Sequence, residues 1–282
     1  MKTVAIVTDS TAYIPESMLS EYEITMVPLS VIFDNESYLE EKELQAADFF
    51  EKVKKENVLP KTSQPSIGSF VETYETLART HDEIITITLS SGISGTYQSA
   101  HSAGEMIEGA DVYVFDSEIS CMMQGFYVLE AARMAQDGFG SKEILGRLQK
   151  IKSQGTNAYF LVDDLSHLHR GGRLNAAQLV VGSLPQIKPV LTFEDKQIVP
   201  YEKIRTRKKA LNKIMTLFDE AAKAGDMINA TLIYSTNKEE AENLKAELEE
   251  KYTNVNIILS YFGPVIATHL GEGALGLGWY RV

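Results

Sequence analysis

The chain has 282 residues, 44% of them hydrophobic, enough to bury the core of one large domain or two ordinary ones. Its formal net charge of -12 repels phosphate backbones and acidic headgroups, which argues against nucleic acid and against a membrane surface as partners. The longest apolar stretches, such as Ala158 to Val162 and Leu179 to Val181, fall far short of the roughly 20 residues that span a bilayer, and the single cysteine, Cys121, leaves no internal disulfide and no thiolate metal cluster.

The opening segment MKTVAIVTDS carries one lysine and then a short β-branched run that stops at Asp9. Without an apolar h-region and a small-residue cleavage site it reads as the first strand of a cytoplasmic protein. Val4 to Thr8, Ile84 to Leu89 and Val112 to Phe115 each lead into a polar loop and a helix-like segment, which predicts a parallel sheet flanked by helices. Pro15-Glu16 after Ser10-Thr11, and Ser66 after Gln64-Pro65, predict helix starts at the carboxyl ends of strands. Cys121 with Met122, Met123 and Phe126 predicts a buried, inert thiol, and Met122, Met123, Phe126 and Tyr127 form an apolar stripe at helical spacing.

Near Gly155 the texture changes. A strand over Ala158 to Val162 is followed by the runs KPVLTF and QIVPYEKI, a hairpin turning at Glu194-Asp195-Lys196. A helix from Thr206 to Ala224, the strand ATLIYS, a charged helix from Lys238 to Tyr252 and the strand NIILSYF complete a second unit. The fold class is therefore α/β with two domains. Residues 1–155 form a largely parallel sheet flanked by helices, and residues 156–282 a mixed sheet with helices.

Four segments have the composition of a ligand site. In LSSGISGTYQSA, Leu89 to Ala100, a β run meets a Gly- and Ser-rich turn and then a helix start, where free N–H groups, Ser94 and Thr96 favour a carboxylate or phosphate. KTSQPSIGSF offers Thr62, Ser63 and Ser66 ahead of another helix, and the two loops would converge if they shared one sheet edge. LHRGGRL sets Arg170 and Arg173 around two glycines, either as anion ligands or as partners of Asp163 and Asp164. GPVIATHLGEGALGLGWY holds His269 in a Gly-rich apolar context.

Three further patterns are weaker. The literal GxGxxG at Gly271, Gly273 and Gly276 leaves no room for the βαβ unit a dinucleotide requires. Ser94 in GISGT falls one residue short of a nucleophile elbow, so a serine hydrolase using Ser94 and His269 on acyl esters is the alternative activity. His167 and His169 beside Asp163 and Asp164 lack a metal-ligand spacing, and no metal or cofactor is expected.

TDSTAYIP, KTSQPS, LSSGISGTYQSA, VFDS, LHRGGRL, IKPVL and the terminal GPVIATHLGEGALGLG resemble, in order and nearly end to end, the DegV family of bacterial fatty-acid-binding proteins. The resemblance implies a two-domain α/β carrier that encloses one long-chain fatty acid, with no catalytic group of its own. It further implies that some members serve as the acyl-binding subunit of a fatty acid kinase. By position, Thr62 and Ser94 match the hydroxyls that hold the carboxylate, and His269 the headgroup-side histidine. Arg170 and, more loosely, Arg205 match basic residues tied to phosphoryl transfer or kinase docking. On this reading neutral donors rather than an arginine fork hold the carboxylate. Nothing in the chain resembles a P-loop, so ATP would arrive with the partner.

Overall fold

A computed structural model describes residues 3–174 and 188–282; the apolar stretch Leu179 to Val181 lies outside the described residues. Three sheets organise the described residues. The first runs in the order β2-β1-β6-β7, with β1 Val4–Asp9, β2 Thr25–Val27, β6 Glu83–Thr88 and β7 Asp111–Asp116, every pair parallel. All six residues of β6 are buried, as expected of an interior strand in a parallel sheet covered on both faces.

Residues between β2 and β6 form a small antiparallel sheet, β4-β3-β5, from β3 Ser30–Phe33, β4 Glu36–Leu39 and β5 Lys61–Ser63. Thr62 therefore lies on a strand of this separate sheet, opposite Val31. The expectation that KTSQPS and the Ser94 loop share one sheet edge is corrected: the hydroxyls of KTSQPS come from two elements, because Ser66 alone caps the next helix, α3 Ile67–Leu77, accepting from the Ser69 N–H at 3.0 Å.

The remaining sheet is mixed, in the order β10-β9-β8-β13-β11-β12. It comprises β8 Asn157–Leu161, β9 Val190–Glu194, β10 Gln197–Glu202, β11 Ile228–Tyr234, β12 Val255–Tyr261 and β13 Leu275–Arg281. Only β11 and β12 pair in parallel. The β9-β10 hairpin turns at Asp195 and Lys196, whose φ values of 47° and 69° suit the twist of a tight two-residue loop. The fold class and the hairpin agree with the sequence reading.

Helices cover these sheets. They are α1 Glu16–Glu21, α2 Ala46–Glu56, α4 Thr96–Gly104, α5 Cys121–Gln136, α6 Ser141–Gln154, α7 Ser166–Arg170, α8 Arg207–Lys223, α9 Lys238–Lys251 and α10 Pro264–Leu270. The Thr206 side chain caps α8, and α9 carries the i,i+4 pairs Lys238–Glu242 and Lys245–Glu249 on its solvated face.

The largest apolar cluster is shared by both large sheets, joining Ile85 and Ile87 of β6, Met122 and Met123 of α5, Leu148 of α6, Leu191 of β9 and Tyr280 of β13. A second cluster packs α8 and α9 on the other face of the mixed sheet around Phe218, Leu275, Leu277 and Trp279. By the two-residue alternation of a strand, β13 thus gives its bulky side chains to the second cluster and turns Gly276, Gly278 and Tyr280 toward the first.

Candidate functional site

Two cavities meet at Thr62, Arg173, His269 and Leu270. The inner one, about 590 Å³, penetrates the shared core between α5 and the inner face of β8, β13 and β9. The outer one, about 860 Å³, opens between α2, α7 and α10.

The polar end is built from four distant parts of the chain. Thr62 Oγ1 lies 2.8 Å from His269 Nε2. His269 sits near the end of α10, whose first turn is anchored by a buried carboxyl group: the Val265 N–H and the Tyr13 O–H both donate to Glu40 Oε1, at 2.7 and 2.8 Å. Burial pushes Glu40 up to about 8. Burial, with the charges of Arg173 and His167 adding to it, lowers His269 to about 3, so its imidazole is neutral at pH 7.

Ser94 lies in the loop between β6 and α4 and lines the inner cavity. Its Oγ is 2.9 Å from Thr96 Oγ1 and accepts the Thr96 N–H at 3.3 Å. That loop is held on both sides. The Ser90 hydroxyl donates to the Lys196 carbonyl in the β9-β10 turn at 2.6 Å, and the Ser91 N–H donates to Asp116 at 3.1 Å. A Cβ on Gly92 would come within 2.3 Å of that Lys196 carbonyl, so this close approach requires glycine. Gln64 fastens the KTSQPS loop to the same helix by donating to Ser99 Oγ at 2.8 Å. Thr62, Ser94 and His269 thus border one cavity, with Thr62 and His269 in direct contact.

Arg173 is the residue the sequence undervalued. Its Nε–H donates to the Ile93 carbonyl at 3.1 Å and it borders both cavities, yet among the described residues no carboxylate forms an ion pair with it. Pairing of Arg170 and Arg173 with Asp163 and Asp164 is not realised. Asp163 pairs with Arg207 at 3.2 Å, and Asp164 accepts the Ser166 N–H at 2.8 Å. A guanidinium thus stands beside the neutral donors and keeps its charge. The only signal in the sequence was the spacing of LHRGGRL, which carries Arg173 past the end of α7.

Arg170 faces the outer cavity, its Nη2 3.1 Å from His167 Nδ1. Arg205 is exposed in the turn before α8 and borders neither cavity; Arg207, two residues on, joins Asp163 and Glu240 instead. Ser94 is bonded to Thr96 and His269 to Thr62, so the two are not paired as nucleophile and base. Among the described residues no group of three or more His, Cys, Asp or Glu is arranged to hold a metal ion.

Apolar side chains line the depth of the inner cavity, among them Phe160, Phe193, Ile198, Ile233 and Phe262. Of the apolar stripe on α5, Met123 lines it, while Met122, Phe126 and Tyr127 are packed in the core around it. Cys121 also borders the cavity, and burial pushes its thiol up to about 12. No described helix is long and apolar enough to cross a membrane.

Fold and site together define an α/β protein of two large sheets that enclose a cavity with one polar and one apolar end. The chain belongs to the DegV family: the family model described as "Uncharacterised protein, DegV family" matches residues 3–282. Protein DegV of Bacillus subtilis strain 168 is 53% identical over 277 residues, 98% of each chain. A crystal structure of DegV from Bacillus subtilis, described as a fatty acid binding protein, superposes with a TM-score of 0.95 at 51% identity over 100% of both chains. A DegV family protein from Thermus thermophilus, described by its fatty acid binding, superposes with a TM-score of 0.91 at 29% identity over 99% of this chain and 100% of the other. A stearic acid-binding protein from Eubacterium ventriosum does so with a TM-score of 0.88 at 25% identity, over 99% and 98%.

Proposed function

We propose that this chain binds one long-chain, palmitate-like fatty acid in the inner cavity, carboxylate at the Thr62–His269 end, as a carrier in fatty acid uptake or phospholipid metabolism. The observation that carries this reading is Arg173, half-buried at the polar end of an apolar cavity and unmatched by any described carboxylate. A ligand with an anionic head and a long apolar body complements both ends, and relatives of the same fold are described as binding fatty acids. In this reading residues 1–155 supply Thr62 and Ser94, and residues 156–282 close over the headgroup with Arg173 and His269.

Magnitudes assign the two ends different tasks. Burying about fourteen methylenes at about 0.8 kcal/mol each gives roughly 11 kcal/mol of gross transfer free energy. Association consumes about 4 to 15 kcal/mol of such a gain. The tail therefore brings affinity near threshold, and charge-assisted hydrogen bonds of about 1.5 to 3 kcal/mol each make binding firm and fix which end faces out.

The same geometry supports presentation to an ATP-binding kinase partner. One carboxylate oxygen, held by Arg173 and the hydroxyls, would leave the other facing the outer cavity, where it attacks the γ-phosphorus of ATP; the bond to ADP breaks and an acyl phosphate forms. Arg170 and His269 lie where the added charge would fall, and Arg205 would serve docking from the surface. Extraction and mass spectrometry of lipid from the purified protein tests the reading. One long-chain fatty acid per chain is the expected result; an empty protein, or a ligand without a carboxylate, contradicts it.

A further inference from the structure

On the mixed sheet the cavity floor has a direction. β13 leaves the polar end just after α10, so its inward positions fall in the order Gly276, Gly278, Tyr280 with increasing depth. At about 3.4 Å per residue, two positions of strand span about 7 Å. Gly276 and Gly278 line the cavity and Tyr280 does not. The Tyr280 ring instead packs on Phe126 of α5 at 5.4 Å, its hydroxyl fixed by the Asn229 amide at 2.9 Å. The floor is open over two glycines and closes where the first side chain stands up.

Met123 lies across the second of those glycines. A Cβ on Gly278 would come within 2.5 Å of Met123 Cγ and 2.6 Å of its Sδ, whereas one on Gly276 would meet Phe262 and Phe160 only at 3.3 and 3.4 Å. Met123 is 2% exposed, borders the cavity and projects from the first turn of α5. An unbranched thioether fills irregular gaps and re-packs at little cost, while the tyrosine behind it is pinned by its hydrogen bond.

We infer that Met123, seated on Gly278 and backed by Tyr280, is the end-stop that sets the length of acyl chain this protein accepts. This rests on the fatty acid reading above. A chain whose methyl end reaches the thioether is enclosed; a longer one must displace Met123 or leave methylenes outside, and a shorter one leaves apolar wall uncovered. Each methylene gained or lost inside changes the partition about fourfold. The glycines give the stop its place, because a side chain at Gly278 would occupy the volume that Met123 holds.

The test is competitive loading of the delipidated protein with an equimolar series of saturated fatty acids from laurate to arachidate, read by mass spectrometry of the retained lipid. Met123→Ala should move the retained set toward longer chains by about one to two methylenes, and Gly278→Ala toward shorter ones. The double variant should return toward the wild-type distribution, since the added methyl then fills the space the thioether vacated. If Gly278→Ala does not fold, Met123→Ala and the double variant decide. Retention of the same chain lengths by wild type and by every folded variant would overturn the end-stop while leaving fatty acid binding intact. A wild-type protein that retains no member of the series would instead overturn the fatty acid reading itself.

Discussion

The two ends of the inner cavity are built on opposite principles. At the polar end, Thr62, Ser94, Arg173 and His269 come from four separate segments, and each is held by hydrogen bonds to its own surroundings: Thr62 to His269, Ser94 to Thr96, Arg173 to Ile93. The apolar end draws its walls from β8, β9, β10, β11, β13 and α5, and what matters at Gly276 and Gly278 is the side chain that is missing. Directional groups have to be fixed before a ligand arrives, because a misplaced donor loses its bond. Apolar walls tolerate re-packing, because burial has no direction. On the proposed reading, orientation and length selection should therefore be separable by mutation.

The strongest way to break that independence is to remove the hydroxyls. Thr62→Ala combined with Ser94→Ala would delete the two charge-assisted hydrogen bonds proposed for the carboxylate and should weaken fatty acid binding by about a hundredfold or more, while the preferred chain length stays as in wild type. Titration with palmitate and with a shorter homologue measures both. A changed length preference would mean that the two ends are coupled.

Arg173→Gln sharpens the comparison by separating charge from hydrogen bonding at the polar end. Loss of one charged donor should weaken binding of the carboxylate about tenfold or more, with little effect on a fatty alcohol of the same length. Equal weakening for acid and alcohol would show that Arg173 acts by holding Ile93 and the Ser94 loop in place, not by meeting the anion.

The polar end was the more legible one. Hydroxyls and glycines after a β run announce a helix start from local sequence, and LSSGISGT does lead into α4, with Ser94 on the cavity wall. KTSQPS misled because its three-residue strand is too short to show alternation, so the small sheet that carries Thr62 left no periodic trace. Arg173 was visible as a residue but not as an unpaired one, because Asp163 is captured by Arg207, forty-four positions away. The floor was opaque for another reason. GALGLGWY reads as a Gly-rich apolar run with no strand period, yet Leu275 to Arg281 is a central strand paired on both sides. Its glycines could be recognised as cavity floor only once the facing Met123 was in view.

Two buried groups anchor the short helix α10 and should give stability opposite pH slopes. Glu40 is raised from 4.5 to about 8, so its contribution is complete below pH 4.5 and is lost as pH rises through about 8. His269 is lowered from 6.5 to about 3, so its contribution is complete above pH 6.5 and is lost as pH falls through about 3. Thermal unfolding of Glu40→Gln should lose the decline on the alkaline side, and that of His269→Asn the decline on the acid side. Unchanged profiles in both variants would mean that neither group titrates with folding, and that the polar end is held by its hydrogen bonds alone.

The smallest effect on binding is expected at Arg170, which makes it the most discriminating test of where the polar end stops. Its guanidinium borders the outer cavity alone and bonds to His167, with Thr62 and His269 lying between it and the apolar depth. Arg170→Ala should change fatty acid affinity by less than about twofold, in the range of a surface substitution. If the acyl group is phosphorylated by an ATP-binding partner, the same variant should slow that transfer, because on the proposed reading the guanidinium would stand where charge is added and not where the carboxylate rests. Measuring palmitate affinity and partner-dependent acyl phosphate formation on one preparation separates the two. A loss of affinity comparable to that of the hydroxyl variants would extend the carboxylate site into the outer cavity, and the division between holding and presenting the fatty acid would then have to be abandoned.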